Sequence, residues 1–501
     1  MLKFVFLSVL LLAGGVKGQD DEFLYDVFPP DFQWGVATSA YQIEGGAFAD
    51  GKGLSNWDYW SHNGSYEGHC NVRDCQNGDV GGDSYHKFRE DAALIKSMGA
   101  DFYRFSLSWA RIVPTGRVAD GVNQAGIDHY NEVIDNLIAE GITPFITLYH
   151  WDLPLPLTWD GSWLNEDIIE HFKDYARIVF ENYGDRVKLW LSFNEPHVFC
   201  FADWTYAYLN PFNWTQPVKP YICSHNILKA HALAWRMYDS EFRPTQGGKM
   251  GITLNCDWPE PLDPANSAHV EASDRSMHFH YGLYANPLLR GEYPPIMRSL
   301  IDAKSEAEGR NESRLPSFDA EWTQIVNGTL DFLGLNHYFA YKVVPDDNNE
   351  SIWVEGDANI HIEPDDESWN HTAVGWPITP FGIRKVVKWI ADEYNYPIYI
   401  TENGYGHWEN DTFNDPIRVE FYKQYINNVL RAVRLDGADV KSYTAWSLLD
   451  NYEWASGYSV RFGVHHVNYT DPNLTRTPKA SAMYLKVVFA DNGFPNATRT
   501  D

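Results

Sequence analysis

The chain is 501 residues long, enough for one large domain or two to three ordinary ones. Its 44% hydrophobic and 21% charged content describes a foldable globular protein, and its formal net charge of −29 sets its field against nucleic acid and anionic membranes as partners. Twenty Trp and 30 Tyr supply many aromatic faces, of the kind that stack on sugar rings.

The opening stretch, MLKFVFLSVLLLAGGVKG, reads as a signal peptide over residues 1–18. Lys3 gives the positive start, Phe4 to Leu12 a short apolar core, and Ala13 to Gly18 the small residues suited to cleavage. That core falls short of the roughly 20 residues a membrane anchor needs. The mature chain is expected to begin near Gln19 and to be secreted to the extracellular space.

Beyond it a pattern recurs: a short apolar run, a polar or aromatic end, then a helical stretch. The runs are FQWGVATSAY from Phe32, FYRFSLSW from Phe102, PFITLYHW from Pro144, VKLWLSFNE from Val187, KMGITLNCD from Lys249, LDFLGLNHY from Leu330, PIYITEN from Pro397 and KSYTAWSLLD from Lys441. Continuous hydrophobicity fits strands covered on both faces, as in a parallel sheet. Between them, Asp83 is placed to cap a helix running through Phe88, Ala92 and Ile95 to Gly99. Asp128 to Glu140 forms another, with Ile127, Tyr130, Val133, Ile134, Leu137 and Ile138 on one face and Gly141 as its stop. Eight such units and no linker predict an α/β fold, a single (β/α)₈ TIM barrel with long loop insertions over residues 19–501.

Five cysteines, Cys70, Cys75, Cys200, Cys223 and Cys256, are expected to pair in part in an oxidising compartment, leaving at least one thiol free or intermolecular. Cys70 and Cys75 are close enough to close a small loop. Glycosylation sequons stand at Asn63, Asn213, Asn311, Asn327, Asn349, Asn370, Asn410, Asn468, Asn473 and Asn496, in keeping with export. The 18 histidines and the cysteines make no zinc-like spacing, so no metal and no cofactor is implied.

A barrel of this kind gathers its working groups where the strands end. The runs end near Gln42, Arg104, His150, Asn194–Glu195, Asn336, Glu402 and Trp446. Amides, an imidazole, a guanidinium, an indole and two glutamates thus converge on one mouth, with Glu195 after the fourth strand and Glu402 after the seventh. Glycosidic cleavage needs such a pair, an acid for the leaving oxygen and a carboxylate for the anomeric carbon. A separation of about 5–5.5 Å gives a covalent intermediate and retained configuration.

FNEP (Phe193 to Pro196) and ITENG (Ile400 to Gly404) resemble the acid/base and nucleophile motifs of the family 1 glycoside hydrolases, the β-glucosidase family, in its animal secreted form. ATSAYQIEG (Ala37 to Gly45), YRFSLSW (Tyr103 to Trp109), LYHWDLP (Leu148 to Pro154) and AWSLLDNYEW (Ala445 to Trp454) follow the same family's order. The resemblance runs from about Phe28 to the C-terminal region. It implies Glu195 as general acid/base and Glu402 as nucleophile. It further implies Arg104 as the cation that keeps the nucleophile ionised, Tyr338 as its hydroxyl partner and Asn194 at the sugar 2-hydroxyl. Gln42, His150 and Glu453 match the sugar-hydroxyl ligands, and Trp446 and Trp454 the aromatic walls. Glu453 and GYSVRFG (Gly457 to Gly463) look like the form that takes an unphosphorylated glucose, galactose or fucose.

Two stretches depart from the family pattern, LPLTWDGSW (Leu155 to Trp163) and HVFCFADWTYAYLNP (His197 to Pro211), both on the leaving-group side. The implied function is a secreted retaining β-glucosidase acting on a small-molecule β-glycoside. The alternatives are a β-thioglucosidase of myrosinase type acting on glucosinolates, and a non-catalytic klotho-like binding protein. Relatives of the last kind lose one of the glutamates, and this chain has both.

Overall fold

The computed structural model describes residues 22–495 apart from 64, 67–68, 202–216, 349–350, 352–353 and 409–412. Each of the eight apolar runs contributes one strand of a closed barrel: β1 (Gln33–Ala37), β2 (Phe102–Ser106), β3 (Thr143–Tyr149), β4 (Leu189–Asn194), β5 (Lys249–Asn255), β6 (Leu333–Asn336), β7 (Ile398–Asn403) and β8 (Val440–Trp446). All neighbours are parallel, and β1 pairs with both β2 and β8, so no edge remains. The expected (β/α)₈ barrel is the fold.

Closure explains the continuous hydrophobicity: side chains alternate between an outer layer against the helices and an inner layer within the barrel. Low in the barrel Phe102, Phe145, Leu189, Leu191, Phe332 and Tyr399 form a separate buried cluster. Phe332 and Tyr399 have ring centroids 4.4 Å apart, and Phe145 lies within 6.0 Å of Phe102, Phe332 and Tyr399. This plug keeps water out of the barrel floor, each buried ring contributing roughly 2 kcal/mol. Two residues further along the same strands the inner layer turns polar, at Arg104, Thr147 and Thr401. The mouth is therefore built on a dry base.

The first run leaves the sheet at Ala37, and its end coils into the short helix Ala40–Ile43, which carries Gln42. The helix expected from Asp128 starts earlier, spanning Gln124–Ala139, and Gly141 follows at φ 79°. Ile127, Tyr130, Val133, Ile134 and Leu137 are buried as the 3.6-residue period requires, but Ile138 is 42% exposed. At one residue beyond Leu137 it has rotated past the core-facing stripe. The helix Ser84–Met98 ends at Gly99 with φ 73°. Asp83 occupies its first capping position without capping it; its carboxylate instead accepts from Nδ1 of His86 at 2.6 Å.

The long insertions sit at the C-terminal mouth. One is a three-stranded sheet in which Ala340–Pro345 pairs parallel with Trp258–Pro261 and antiparallel with Ile360–Glu363. It ties the loop after β5 to the loop after β6. Disulfides join Cys70 to Cys75 and Cys200 to Cys223, leaving Cys256 as a buried thiol. Asn63, Asn311, Asn327, Asn370 and Asn473 are exposed and Asn468 is partly so, whereas Asn213, Asn349, Asn410 and Asn496 lie outside the described residues.

Candidate active site

Local irregularities aim the two glutamates. In a regular strand Thr401 and Glu402 would face opposite sides of the sheet. The pairing of β7 with β6 and β8 slips just after Ile400, and both side chains turn into the barrel mouth. Thr401 Oγ1 donates to Asn336 Oδ1 at 2.7 Å, while Glu402 meets Arg104 and Tyr338. The register of β4 against β5 slips similarly between Leu191 and Asn194. Glu195, the next residue, takes φ 51°, a left-handed conformation that costs a non-glycine residue on the order of 1–3 kcal/mol. Its amide donates to Thr253 O at 2.9 Å, which ties this turn to β5.

Arg104 organises the floor. It lies within β2, two residues before the strand end, and is 1% exposed. Its Nη1 donates to Glu402 Oε1 at 2.6 Å and to Thr401 O at 2.9 Å, its Nη2 to Asn194 Oδ1 at 2.6 Å, and its Nε to Thr147 Oγ1 at 3.2 Å. The other oxygen of Glu402 accepts from Tyr338 Oη at 2.7 Å. Across the mouth Asn336 Nδ2 donates to Glu195 Oε1 at 2.6 Å and to Asn194 Oδ1 at 3.1 Å. A continuous chain of charge-assisted and amide hydrogen bonds thus links the two carboxylates through Arg104, Asn194 and Asn336.

This environment separates the glutamates electrically. Burial, and after it the negative charge of Glu402, pushes Glu195 well above the usual carboxylate range, against the opposing pull of Asn336 and Arg104. The Glu195 proton is therefore held more tightly than an ordinary carboxyl's, beside a Glu402 that is ion-paired to Arg104. Glu453 is also raised, to about 8, chiefly by burial and then by Glu402. Gln42 Nε2 donates to Glu453 Oε2 and to Asn451 Oδ1, each at 3.2 Å, and Ser39 Oγ holds Gln42 Oε1 at 2.6 Å.

The hydrogen bonds also fix the tautomer of His150. Two donors occupy Asn194 Oδ1, so Asn194 Nδ2 faces His150 Nε2 at 3.2 Å, and that nitrogen must accept. The ring is neutral with its proton on Nδ1, as expected from burial and from Arg104, which hold its pKa well below the usual value. Nδ1 has no hydrogen-bond partner among the described residues. The imidazole lies parallel to the indoles of Trp446 and Trp454, both 6.0 Å away, so it joins the carboxylate cluster to the aromatic walls.

All ten residues singled out in the sequence meet at this one mouth. The sequence left Asn336 without a role, and Thr147, Thr401 and Asn451 unnamed. Asn336 stands at a strand end two residues before Tyr338, which is the one signal that pointed to it. Among the described residues no group of histidine, cysteine and carboxylate side chains is arranged to hold a metal ion, and no helix is long and apolar enough to cross a membrane.

A parallel barrel with a buried, proton-retaining carboxyl and an ion-paired carboxylate at its mouth has the constitution of a glycoside hydrolase. Within that class the model of Glycosyl hydrolase family 1 matches residues 24–494, and the chain belongs to this family. It is 43% identical to human lactase/phlorizin hydrolase over 98% of its own length, but spans only 25% of that protein. Among solved structures it is similar to aphid myrosinase, with a TM-score of 0.87, 39% identity and coverage of 93% of this chain and 99% of the other. A rice β-glucosidase mutant in a covalent complex with Glc has a TM-score of 0.84 and 37% identity, covering 92% and 98%.

Proposed function

We propose that the chain is a secreted, retaining β-glucosidase that releases terminal non-reducing β-D-glucosyl residues through a covalent glycosyl-enzyme. The observation that carries this reading is the asymmetry of the pair: Glu402 is bound to Arg104 and Tyr338, while Glu195 is buried on the Asn336 amide with its carboxyl raised. Glu402 attacks the anomeric carbon as Glu195 gives its proton to the leaving oxygen. The ester that forms carries no charge on Glu402, so the electrostatic part of the hold on the Glu195 proton falls away while the part due to burial stays. Glu195 then takes a proton from water, the water oxygen displaces Glu402, and two inversions return the β configuration.

Asn194, Gln42, Glu453 and the Nδ1–H of His150 bind the sugar hydroxyls, and Trp446 and Trp454 wall the ring. Glucose fits this set; galactose and fucose share enough hydroxyls to compete. The signal-like residues 1–18, the exposed sequons and the paired cysteines support secretion. A β-thioglucosidase is the second reading, favoured by the likeness to aphid myrosinase. A comparison of rates on an O-glucoside and a glucosinolate decides between the two.

The test of the main reading is Glu402→Gly assayed with azide. Turnover is expected to disappear and to return as a glucosyl azide of inverted configuration. Retained activity without azide product overturns the assignment.

A further inference from the structure

One carboxylate at the mouth has no part in this mechanism. Asp257 follows β5 by two residues, where the loops after β5 and β6 begin to run side by side. Its Oδ1 accepts two consecutive backbone amides, Tyr338 N at 3.2 Å and Phe339 N at 3.1 Å. The same seam is held by Cys256 N to Asn336 O at 2.9 Å, Trp258 N to Phe339 O at 3.1 Å and His337 Nδ1 to Cys256 O at 2.8 Å. Tyr338 is the residue whose phenol holds Glu402, so the backbone that aims this phenol rests on the Asp257 carboxylate.

The same seam reaches the other glutamate, because Cys256 N, one residue before Asp257, holds Asn336 O, and Asn336 Nδ2 donates to Glu195 Oε1. The charged groups that act most on the Glu195 carboxyl are Glu402 from β7, Arg104 from β2 and, more weakly, Asp257, and the phenol of Tyr338 from the loop after β6 is itself raised by Glu195. Of these, Glu402 and Asp257 favour the protonated acid, and Arg104 opposes it. Among the titratable groups of this seam and those on which Asp257 acts, Cys256, Tyr341 and Tyr425 are pushed up by burial and His337 is lowered by burial to about 4, so these are neutral near pH 7. Burial also raises Asp257 itself, to about 7, although its two amide bonds pull it down. Its anion therefore forms as pH rises through neutrality, the range in which Glu195 is under most demand to keep its proton.

We propose that Asp257 is a positioning residue for both carboxylates of the site, bracing the turn that aims Tyr338 at Glu402 and setting a second negative charge against Glu195. This rests on the reading of Glu195 as acid and Glu402 as nucleophile. Substitution separates the two roles. Asp257→Asn keeps an acceptor oxygen for the amides and removes the charge. Asp257→Ala removes both.

The experiment is the pH profile of kcat/KM and kcat on an aryl β-glucoside for the wild type and both variants. Labelling with a 2-deoxy-2-fluoroglucoside, read by peptide mass, accompanies each profile. Both variants are expected to lose activity at lower pH on the alkaline side, because Glu195 releases its proton more readily once the neighbouring charge is gone. At the plateau Asp257→Ala is expected to fall about tenfold in kcat, the worth of roughly one hydrogen bond, and Asp257→Asn to fall less. An alkaline limb at the wild-type position in both variants, or equal plateaus for Asn and Ala, with the label still on Glu402, overturns the proposal. A wild-type enzyme that takes no label on Glu402 overturns the underlying assignment instead.

Discussion

Arg104 and Glu402 form an ion pair at 2.6 Å in which neither side chain is more than 5% exposed. The pair does not stand alone, because the same guanidinium reaches Asn194 and the backbone of Thr401. Its value lies in geometry as much as in charge: one planar fork sets the nucleophile candidate and the Asn194 amide in a fixed relation.

Arg104→Lys tests this directly. Lysine keeps the charge but cannot reproduce the four-acceptor pattern, so kcat is expected to drop by about 10²–10³ with the fold intact. Arg104→Met removes the charge as well and leaves Glu402 buried without its cation. That variant is expected to lose about 3–5 kcal/mol in denaturant unfolding. Equal stabilities for the two variants would contradict the ion-pair argument.

Tyr338→Phe removes one hydrogen bond to a carboxylate and little else. A bond to a charged group is worth about 1.5–3 kcal/mol, so kcat is expected to fall roughly 10- to 100-fold. The loss should appear in the formation of the glycosyl-enzyme, seen as slower labelling by a fluoroglycoside. A change confined to KM would show that the phenol serves binding and not Glu402.

Glu195 is raised above its ordinary range, so the working acid is the form present at low pH and is lost as pH climbs through the raised value. The alkaline limb of kcat/KM should therefore vanish in Glu195→Gln. On a substrate with a poor leaving group the variant should be slower by about 10²–10⁴. On a dinitrophenyl glucoside, whose oxygen needs no proton, the loss should be far smaller for the glycosylation step. An undiminished alkaline limb in the variant assigns that limb to another group.

The barrel was legible in the sequence because closure buries both faces of every strand, and two-sided burial writes itself as uninterrupted apolar runs such as Phe102–Ser106 and Leu189–Asn194. The candidate residues were legible because a barrel delivers its strand ends to one mouth. The aim of Glu402 was not: it depends on a register slip after Ile400, and a strand with such a slip has the same composition as one without. The role of Asn336 escaped for a related reason, since its two acceptors, Asn194 and Glu195, come from the end of another strand about 140 residues away in the chain. Cysteine pairing likewise depends on proximity in space, which brought Cys200 to Cys223 and left Cys256 walled in.

Glu453 offers a prediction on stability. Folding raises its carboxyl to about 8, so the folded chain holds a proton that the unfolded chain releases near the ordinary glutamate value. The stability from this group is full below the unfolded value and is lost as pH rises through about 8. Glutamine has no proton to lose. The Tm of Glu453→Gln relative to wild type should therefore improve as pH is raised from about 5 to about 8, while turnover is impaired at both. A Tm difference that stays constant across this range means Glu453 does not titrate there.

The Cys200–Cys223 bridge joins the helix Pro196–Phe201, which starts directly after Glu195, to the helix Lys219–Met237 across a separation of 23 residues. The Cys70–Cys75 bridge closes a separation of only 5. If the bridges act by restricting the unfolded chain, the longer loop stabilises more, by about 3 kcal/mol against about 2 kcal/mol. The Cys200→Ala/Cys223→Ala variant should accordingly unfold at lower guanidinium than Cys70→Ala/Cys75→Ala. Its effect should also reach catalysis, because the bridge anchors the first helix beyond the strained turn that presents Glu195. A lowered kcat in the Cys200/Cys223 variant under conditions where it is fully folded, with no change in the Cys70/Cys75 variant, is the expected result. Equal midpoints and unchanged turnover in both would mean that packing of Pro196–Phe201 alone suffices to hold the turn.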